Sequence, residues 1–291
     1  MVEGGRVRLT RSVPMRAHSS HHLPSSLVLI GAGNMGSAML EGWLKVGINR
    51  ATTTVLDPHP SLEVQTLCAE ERIALNPPVR DIRPPQAVVL ATKPQALEAV
   101  APAVDRLIGP ETLLVSILAG KRIEDLKRAI PRAKAVVRAM PNLAAAVRLS
   151  ATAAAASEAV TEPQRLIAHE LLSSIGQVEW VGHERLIDAV TAVSGSGPAY
   201  FFYLTECLAH AGTAAGLPTE LAERLARATI IGAGELLRQG DLPPAKLRHN
   251  VTSPGGTTAA ALDVLMREPG LRELIREAVD AAKRRAEELS G

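Results

Sequence analysis

Short apolar runs and helical patterns alternate along the first two thirds of this chain. Between Leu27 and about Val181, β-branched runs that are apolar on both faces are typical of strands covered by helices on each side. They predict strands at residues 27–30, 52–57, 87–92, 112–118 and 135–140. Alternating strands and helices over this length predict an α/β fold with a Rossmann-type, doubly wound parallel sheet over residues 27–182.

The helical patterns between the strands carry recognisable end signals. A helix over residues 35–47 is expected to end at Gly47, and a shorter one covers 123–130. The stretch TEPQ (161–164) has the spacing of a capping box and opens a helix that reaches Ser174, with Gly176 as its C-terminal stop.

Strand signals disappear after His183, and helical periodicity continues through the rest of the chain. Residues 183–291 are therefore predicted to form an all-helical domain. The helix predicted over 219–238 is apolar around much of its circumference, which is more than one packing face requires. We expect it to be buried in a subunit interface, so the helical domain is predicted to mediate dimerisation.

Composition limits the classes of function. Aromatic residues make up 2% of the 291 residues, which argues against stacking platforms for single-stranded nucleic acid, and no apolar run is long enough to span a membrane. The net charge of +2 comes from residues 1–26, which hold four arginines and one glutamate, so the remainder is −1. No nucleic-acid or membrane partner is expected. Cys68 and Cys207 predict a cytoplasmic protein without a metal site.

Residues 1–26 are left out of the predicted fold because their composition cannot bury a core. The interpretation favoured is a disordered leader or an upstream start codon with Met15 as the true start. An arginine-rich, acid-poor transit peptide is the alternative.

The motif GAGNMG (31–36) lies between the first strand and the first helix, where a dinucleotide-binding loop belongs. Gly31 permits the tight turn, Gly33 lets the backbone approach a pyrophosphate, and Gly36 allows close packing of helix on strand. This context predicts a nicotinamide dinucleotide site.

Asp57 ends the second strand, 21 residues beyond Gly36, where an acidic side chain can accept hydrogen bonds from ribose hydroxyls. A carboxylate there repels a 2′-phosphate and favours NADH over NADPH, although His59 can partly offset it. The alternative is that Asp57 is only a turn residue before Pro58. ATKPQ (91–95) follows another strand at the same edge and places Lys93 beside the expected cofactor.

The stretch SPGGTT (253–258) precedes an alanine-rich helix and suggests a second anion site. N–H groups of Gly255, Gly256 and Thr257 at the helix start favour negative charge, and the Ser253 hydroxyl can add to them. A plain helix N-cap is the competing interpretation.

Five motifs in order resemble the pyrroline-5-carboxylate reductase family over roughly residues 27–289. They are GAGNMG, ATKPQ, AMPN (139–142), AVTAVSGSGPAY (189–200) and NVTSPGGTT (250–258). The resemblance implies reduction of the cyclic imine 1-pyrroline-5-carboxylate to L-proline, the last step of proline biosynthesis, with NADPH or NADH. It also implies a homodimer, in a family whose dimers often assemble further into decamers.

Site residues follow from matching the family's motifs to this sequence. The implied cofactor contacts are Gly31, Ala32, Gly33, Asn34, Met35, Gly36, Asp57, Asn76, Ala91, Thr92, Lys93, Pro94 and Ala119. The implied substrate contacts are Glu184, Asn250, Thr257 and Thr258, together with Ser253, Gly255 and Gly256 of the anion loop. Asp57 departs from several relatives, which place a serine there to suit a 2′-phosphate.

The chemistry of imine reduction assigns a role to Thr258. The imine nitrogen can take a proton from water near neutral pH, so no strong protein acid is required. Thr258 is expected to donate a hydrogen bond to the ring nitrogen, and most of the catalysis is positioning. We also hypothesise that SPGGTT of one chain completes the site whose dinucleotide lies in the other.

Two other functions were weighed. A β-hydroxyacid dehydrogenase usually employs a lysine on an interdomain helix, and residues 194–210 contain none. A non-enzymatic NAD-sensing protein would not need the second loop.

Overall fold

The structure is a computed structural model that describes residues 22–290. Most of the predicted leader therefore lies outside the described residues. Ser25 and Ser26 already join the folded part, because the Ser25 N–H donates to Gln86 Oε1 (2.6 Å) and the Ser26 Oγ accepts from the Gln86 N–H (3.0 Å).

The described residues form one eight-stranded sheet in the order β3-β2-β1-β4-β5-β6-β7-β8. The pairs from β3 to β6 are parallel, as is β7 with β8, whereas β6 and β7 are antiparallel. The strands are β1 Leu27–Ile30, β2 Thr53–Leu56, β3 Ala74–Leu75, β4 Ala87–Leu90, β5 Leu113–Ser116, β6 Ala135–Met140, β7 Ser150–Ala156 and β8 Gly176–Trp180. The first six strands have the order of a dinucleotide-binding fold, which confirms the predicted fold class.

The centre of the sheet is buried on both faces because the neighbouring strands β1 and β4 are apolar at every position. Leu27 and Leu29 of β1 pack with Trp43 and Leu171 on one face. Val28 and Ile30 pack on the other face with helical residues that include Val104, Leu107 and Leu126. Each fully buried aliphatic side chain contributes about 1.5–3 kcal/mol relative to an exposed one.

Eleven α-helices surround or follow the sheet in the described residues. They are α1 Asn34–Val46, α2 Leu62–Glu70, α3 Leu97–Leu107, α4 Ile123–Ala129, α5 Glu162–Ser173, α6 Leu186–Val190, α7 Gly197–Ala214, α8 Thr219–Gln239, α9 Pro244–Asn250, α10 Thr257–Leu265 and α11 Leu271–Leu289. A π-helical turn, Thr191–Gly195, lies between α6 and α7. After residue 183 the described chain contains helices and no strand, as expected.

Two end signals read from the sequence have different outcomes. The capping box of Thr161 and Gln164 opens α5 as predicted. Gly176 does not stop that helix, however, because Ser174 is its C-cap and Gly176 begins β8. Gly176 has a φ of +148°, and a side chain on it would collide with the backbone of Ser150 in the neighbouring strand.

The described chain divides into two compact units, residues 22–198 with 279–290 and Ala199–Ala278. In the second unit the buried apolar residues are three alanines, Ala209, Ala222 and Ala226. Its large apolar side chains are exposed in the single chain, among them Phe201, Phe202, Tyr203, Leu204, Leu225, Ile231, Leu236, Leu237, Leu265 and Leu274. This unit does not bury its own apolar surface.

Candidate functional site

The geometry of the GAGNMG loop explains why its first and third glycines, Gly31 and Gly36, cannot carry a side chain. Gly31 is buried with a φ of +88°, and a side chain on it would lie 2.9 Å from both the Ala91 carbonyl oxygen and Thr92 Cγ2. A side chain on Gly36 would collide with the Gly31 carbonyl. Gly33 is exposed with nothing within 4 Å of a side-chain position, which leaves its backbone open to a ligand.

Asp57 and Asn76 are brought together at the end of β2. Asp57 Oδ2 accepts a hydrogen bond from the Ala32 N–H (2.6 Å), and its Oδ1 accepts one from the His59 N–H (2.8 Å). Asn76 Oδ1 accepts from the Asp57 N–H (2.8 Å), and Asn76 Nδ2 donates to the Asp57 carbonyl (2.7 Å). The carboxylate of Asp57 is thus tied to the glycine loop, and Asn76 fixes the backbone that carries it.

The stretch after β4 borders the same loop. Ala91 and Thr92 contact Gly31, as described above, and Pro94 opens a short 3₁₀ turn that leads into α3. Lys93 is exposed, and so is Ala119, which follows β5 at this edge. The Thr92 Oγ1 atom is buried and has no hydrogen-bond partner among the described residues.

These features fit a dinucleotide. The glycine backbone lies at the N-terminus of α1, where anions are favoured, and an acidic side chain stands at the end of β2. The buried Thr92 hydroxyl adds a hydrogen-bonding group that the protein itself leaves unused.

The second loop joins α9 to α10 in the unit Ala199–Ala278. Gly255 has a φ of +70°, which favours glycine, and Gly256 is the N-cap of α10. The Gly256 N–H, which we expected to face a substrate carboxylate, instead donates to the Ser253 carbonyl (3.0 Å). The side chain of Ser253 packs against Gly256, where a Cβ would collide with it.

The other backbone donors of this loop lie at the start of α10. The first intrahelical bond at the start of α10 runs from the Ala260 N–H to the Gly256 carbonyl (3.2 Å). N–H groups in the first turn of a helix, those of Thr257 and Thr258 here, have no acceptor within the helix. Ser253, Gly255 and Thr257 are exposed in the single chain, and Thr258 is half-buried. Asn250, the last residue of α9, is exposed too.

Glu184 lies in a buried ionic cluster that the sequence analysis missed. Its Oε1 accepts from the Ile123 N–H (2.8 Å) and pairs with Arg138 Nη1 (3.2 Å), while Arg138 Nη2 pairs with Asp188 Oδ1 (3.3 Å). The Ser290 hydroxyl donates to the same Asp188 oxygen (3.0 Å). The Arg138 side chain is only 3% exposed, and the Glu184 side chain remains 25% exposed.

Two of the quoted motifs meet through Asn142. The Asn142 Nδ2 of the AMPN stretch donates to the Ser194 carbonyl (3.0 Å) in the π-helical turn of the SGSGPAY stretch. A π turn changes the register of helical hydrogen bonds, and such turns are frequent at functional sites. The sequence indicated both motifs but did not indicate that Asn142 would contact Ser194.

Residues 22–290 offer neither a side-chain cluster typical of a metal site nor a helix typical of a membrane span. Within that range there is no grouping of three or more His, Cys, Asp or Glu side chains placed to hold a metal ion. None of the described helices has the length and apolar character needed to cross a bilayer.

Comparison with known proteins gave consistent matches. Residues 184–289 match the family model described as pyrroline-5-carboxylate reductase dimerisation, and residues 26–120 match one described as NADP oxidoreductase, coenzyme F420-dependent. Pyrroline-5-carboxylate reductase of Pseudomonas aeruginosa is 37% identical over 264 residues, covering 91% of this chain and 96% of the relative.

Solved structures agree with these matches. A pyrroline-5-carboxylate reductase from Coxiella burnetii aligns with a TM-score of 0.84 at 34% identity, covering 91% of this chain and 98% of the other. The Plasmodium falciparum pyrroline carboxylate reductase with NADP bound aligns with a TM-score of 0.75 at 26% identity, with the same coverage. With its fold, its glycine loop and these relatives, the chain belongs to the pyrroline-5-carboxylate reductase family of NAD(P)H-dependent oxidoreductases.

Proposed function

We propose that this chain reduces 1-pyrroline-5-carboxylate to L-proline in the cytoplasm with a nicotinamide dinucleotide, NADPH or NADH. The observation that carries the proposal is the pair of loops, a Rossmann glycine loop at residues 31–36 and an anion-binding helix start at residues 253–258. An imine substrate with a carboxylate needs both a hydride donor and an anion site.

The second loop holds the substrate. First-turn N–H groups of α10 and the N–H of Gly255 bind the substrate carboxylate, with no arginine required. Thr258, at the second position of α10, donates a hydrogen bond to the ring nitrogen and keeps the imine oriented. The reduced nicotinamide, when bound, supplies the hydride that adds to the imine carbon. Rate enhancement then comes mainly from orientation.

The cofactor preference follows from Asp57. Both of its carboxylate oxygens accept backbone hydrogen bonds, which hold the carboxylate in place at the end of β2. A 2′-phosphate at this position would face that charge directly. We therefore propose that NADH is the better cofactor for this member of the family.

The active protein is proposed to be a homodimer built from the helical unit. Residues 199–278 bury alanines and expose large apolar side chains, and a single soluble chain rarely leaves so much apolar surface open. A groove of about 740 Å³ between α7 and α8 is lined by Phe202 and Ile231, with Glu206, His210 and Arg227 among its polar residues. Assembly of the dimers into decamers stays a prediction.

The test is a steady-state assay that follows NADH and NADPH oxidation with 1-pyrroline-5-carboxylate, with proline as the product measured. A β-hydroxyacid dehydrogenase would instead reduce NAD⁺ when given a β-hydroxyacid, and an NAD-sensing protein would turn over neither. Absence of proline formation with both cofactors would refute the proposal.

A further inference from the structure

One polar group at the cofactor edge has no use within the protein. Thr92 Oγ1 is buried and lacks a hydrogen-bond partner among residues 22–290. A buried hydroxyl that has lost its water and gained no partner costs free energy, so native structures contain few of them. A valine would fill the same space without that cost.

The position of Thr92 in the sheet indicates what the hydroxyl is for. It follows β4 at the carboxyl edge, and Gly31 follows β1, and these two strands are neighbours. The strand order β3-β2-β1-β4-β5-β6 reverses between β1 and β4. Ligands of open α/β sheets bind at this reversal, outside the carboxyl ends of the strands.

The contacts of Thr92 place it beside the part of the loop that Asp57 controls. Its Cγ2 lies 2.9 Å from the position a Gly31 side chain would take, so its methyl packs on the glycine. The Gly31 N–H donates to the Leu56 carbonyl (2.8 Å) at the end of β2, and the next N–H, of Ala32, donates to Asp57. Thr92 thus lies at the same turn as the carboxylate that is expected to bind the adenosine ribose.

We propose that the Thr92 hydroxyl forms a hydrogen bond with a ribose hydroxyl or pyrophosphate oxygen in the ADP-ribose half of the dinucleotide. The inference rests on the proposed function and adds the atom to it, because the family resemblance names Thr92 as a cofactor contact without saying which of its groups binds. In the free protein the hydroxyl is unsatisfied, and binding of the dinucleotide supplies its partner. Cofactor binding and stability of the free protein therefore respond in opposite directions to removal of this hydroxyl.

The experiment compares Thr92→Val and Thr92→Ser with the unmodified chain. Isothermal titration calorimetry with ADP-ribose measures binding without turnover, and thermal unfolding of the ligand-free protein measures stability. Thr92→Val is expected to weaken ADP-ribose binding by about three- to tenfold, while its ligand-free Tm is unchanged or higher. Thr92→Ser keeps the hydroxyl and is expected to bind within about twofold of the unmodified chain.

Thr112 offers a matched control. It is buried like Thr92 Oγ1, but its hydroxyl donates to the Pro85 carbonyl (2.7 Å) and accepts from the Gly109 N–H (3.0 Å). Thr112→Val is therefore expected to lower the ligand-free Tm and leave ADP-ribose affinity unchanged.

Three results would overturn the inference. The first is that Thr92→Val binds ADP-ribose as tightly as the unmodified chain. The second is that Thr92→Val lowers the ligand-free Tm as Thr112→Val does, which would show a structural partner for the hydroxyl. The third is that Thr92→Val loses affinity for nicotinamide mononucleotide but not for ADP-ribose, which would place the contact in the nicotinamide half of the dinucleotide. If the unmodified chain binds neither ADP-ribose nor NADH, the proposed function fails along with it.

Discussion

The Asp57 carboxylate is hydrogen-bonded to the glycine loop: its Oδ2 accepts from the Ala32 N–H, with 2.6 Å between oxygen and nitrogen. The residue expected to select the cofactor therefore also holds the loop that binds it. A substitution of Asp57 removes both the negative charge and the hydrogen bond that holds the glycine loop, unless the new side chain can still accept from the Ala32 N–H.

The first prediction concerns cofactor choice. We expect a higher kcat/KM with NADH than with NADPH, and Asp57→Ser is expected to narrow or reverse the ratio because like-charge repulsion with the 2′-phosphate is removed. Asp57→Asn is the control that keeps an acceptor for the Ala32 N–H while it removes the charge. Steady-state rates with both cofactors measure the ratio, and an unmodified enzyme that prefers NADPH would contradict the prediction.

The second prediction concerns Thr258. Thr258→Ala is expected to lower kcat/KM for the imine by roughly 5–150-fold, because a buried partner left unpaired costs about 1–3 kcal/mol. The Kd for NADH is expected to stay the same. Thr252→Ala is the matched control, since the Thr252 hydroxyl donates to the Arg248 carbonyl (2.7 Å) of the preceding helix α9 and is already paired within the protein. Equal losses in both variants would show a general disturbance of the loop instead.

The third prediction tests the hypothesis of a shared site. Thr258→Ala subunits and Gly33→Asp subunits are each expected to be poorly active alone. If one chain supplies the glycine loop and the other supplies Thr258, mixed dimers contain one intact combination and recover activity. Mixtures are prepared by joint unfolding and refolding, and their rates are compared with those of each variant treated in the same way. No recovery at any mixing ratio would mean that each site is built from a single chain.

The fourth prediction contrasts two arginines that each pair with two carboxylates. Arg138→Met leaves Glu184 and Asp188 without their buried cation, and we expect a loss of about 3–5 kcal/mol in the free energy of unfolding. Arg128 pairs with Glu124 (3.2 Å) and Asp125 (3.1 Å) at similar distances, but its side chain is 69% exposed. Arg128→Met is expected to change stability by no more than about 0.5 kcal/mol. Urea unfolding at fixed protein concentration measures both, and equal losses would contradict the role of burial.

The fifth prediction concerns the dimer. Ile231→Glu places a charge in the groove between α7 and α8 and is expected to shift the protein towards monomers in analytical ultracentrifugation. Leu62→Glu is the control, because Leu62 is 74% exposed but belongs to α2 of the other unit. A dimer that survives Ile231→Glu unchanged would place the interface elsewhere.

The sequence predicted β1, β2, β4, β5 and β6 from their apolar and β-branched runs, but it missed β3, β7 and β8. Strand β7 reads SATAAAA, a composition that favours helix, and it is extended because it pairs with strands on both sides, where small buried side chains fit. Gly176 was assigned to a helix end because glycine is common there, whereas its positive φ and its contact with Ser150 serve the sheet. Local sequence patterns do not reveal which strands will pair, so neither feature could be predicted.

Some parts of the candidate site could likewise be predicted from the sequence, and others could not. The glycine loop and Asp57 could be located because their spacing is fixed by one strand-helix-strand unit. The cluster of Arg138, Glu184, Asp188 and Ser290 joins residues up to 152 positions apart, and no short-range pattern links them. An unsatisfied hydroxyl such as that of Thr92 is also invisible until the surrounding backbone is known.

The bond between Ser290 and Asp188 has a consequence for synthesis on the ribosome. The unit that carries the sheet takes its last piece from residues 279–290, so about 80 residues of the helical unit must be translated between its two parts. During that interval the Arg138 cluster lacks the Ser290 hydroxyl, and the backbone of Gly120 lacks the Leu289 carbonyl that lies against it. The nascent sheet unit is therefore expected to reach its final stability only when the end of α11 has left the exit tunnel, after the apolar helices of the proposed dimer interface have already emerged.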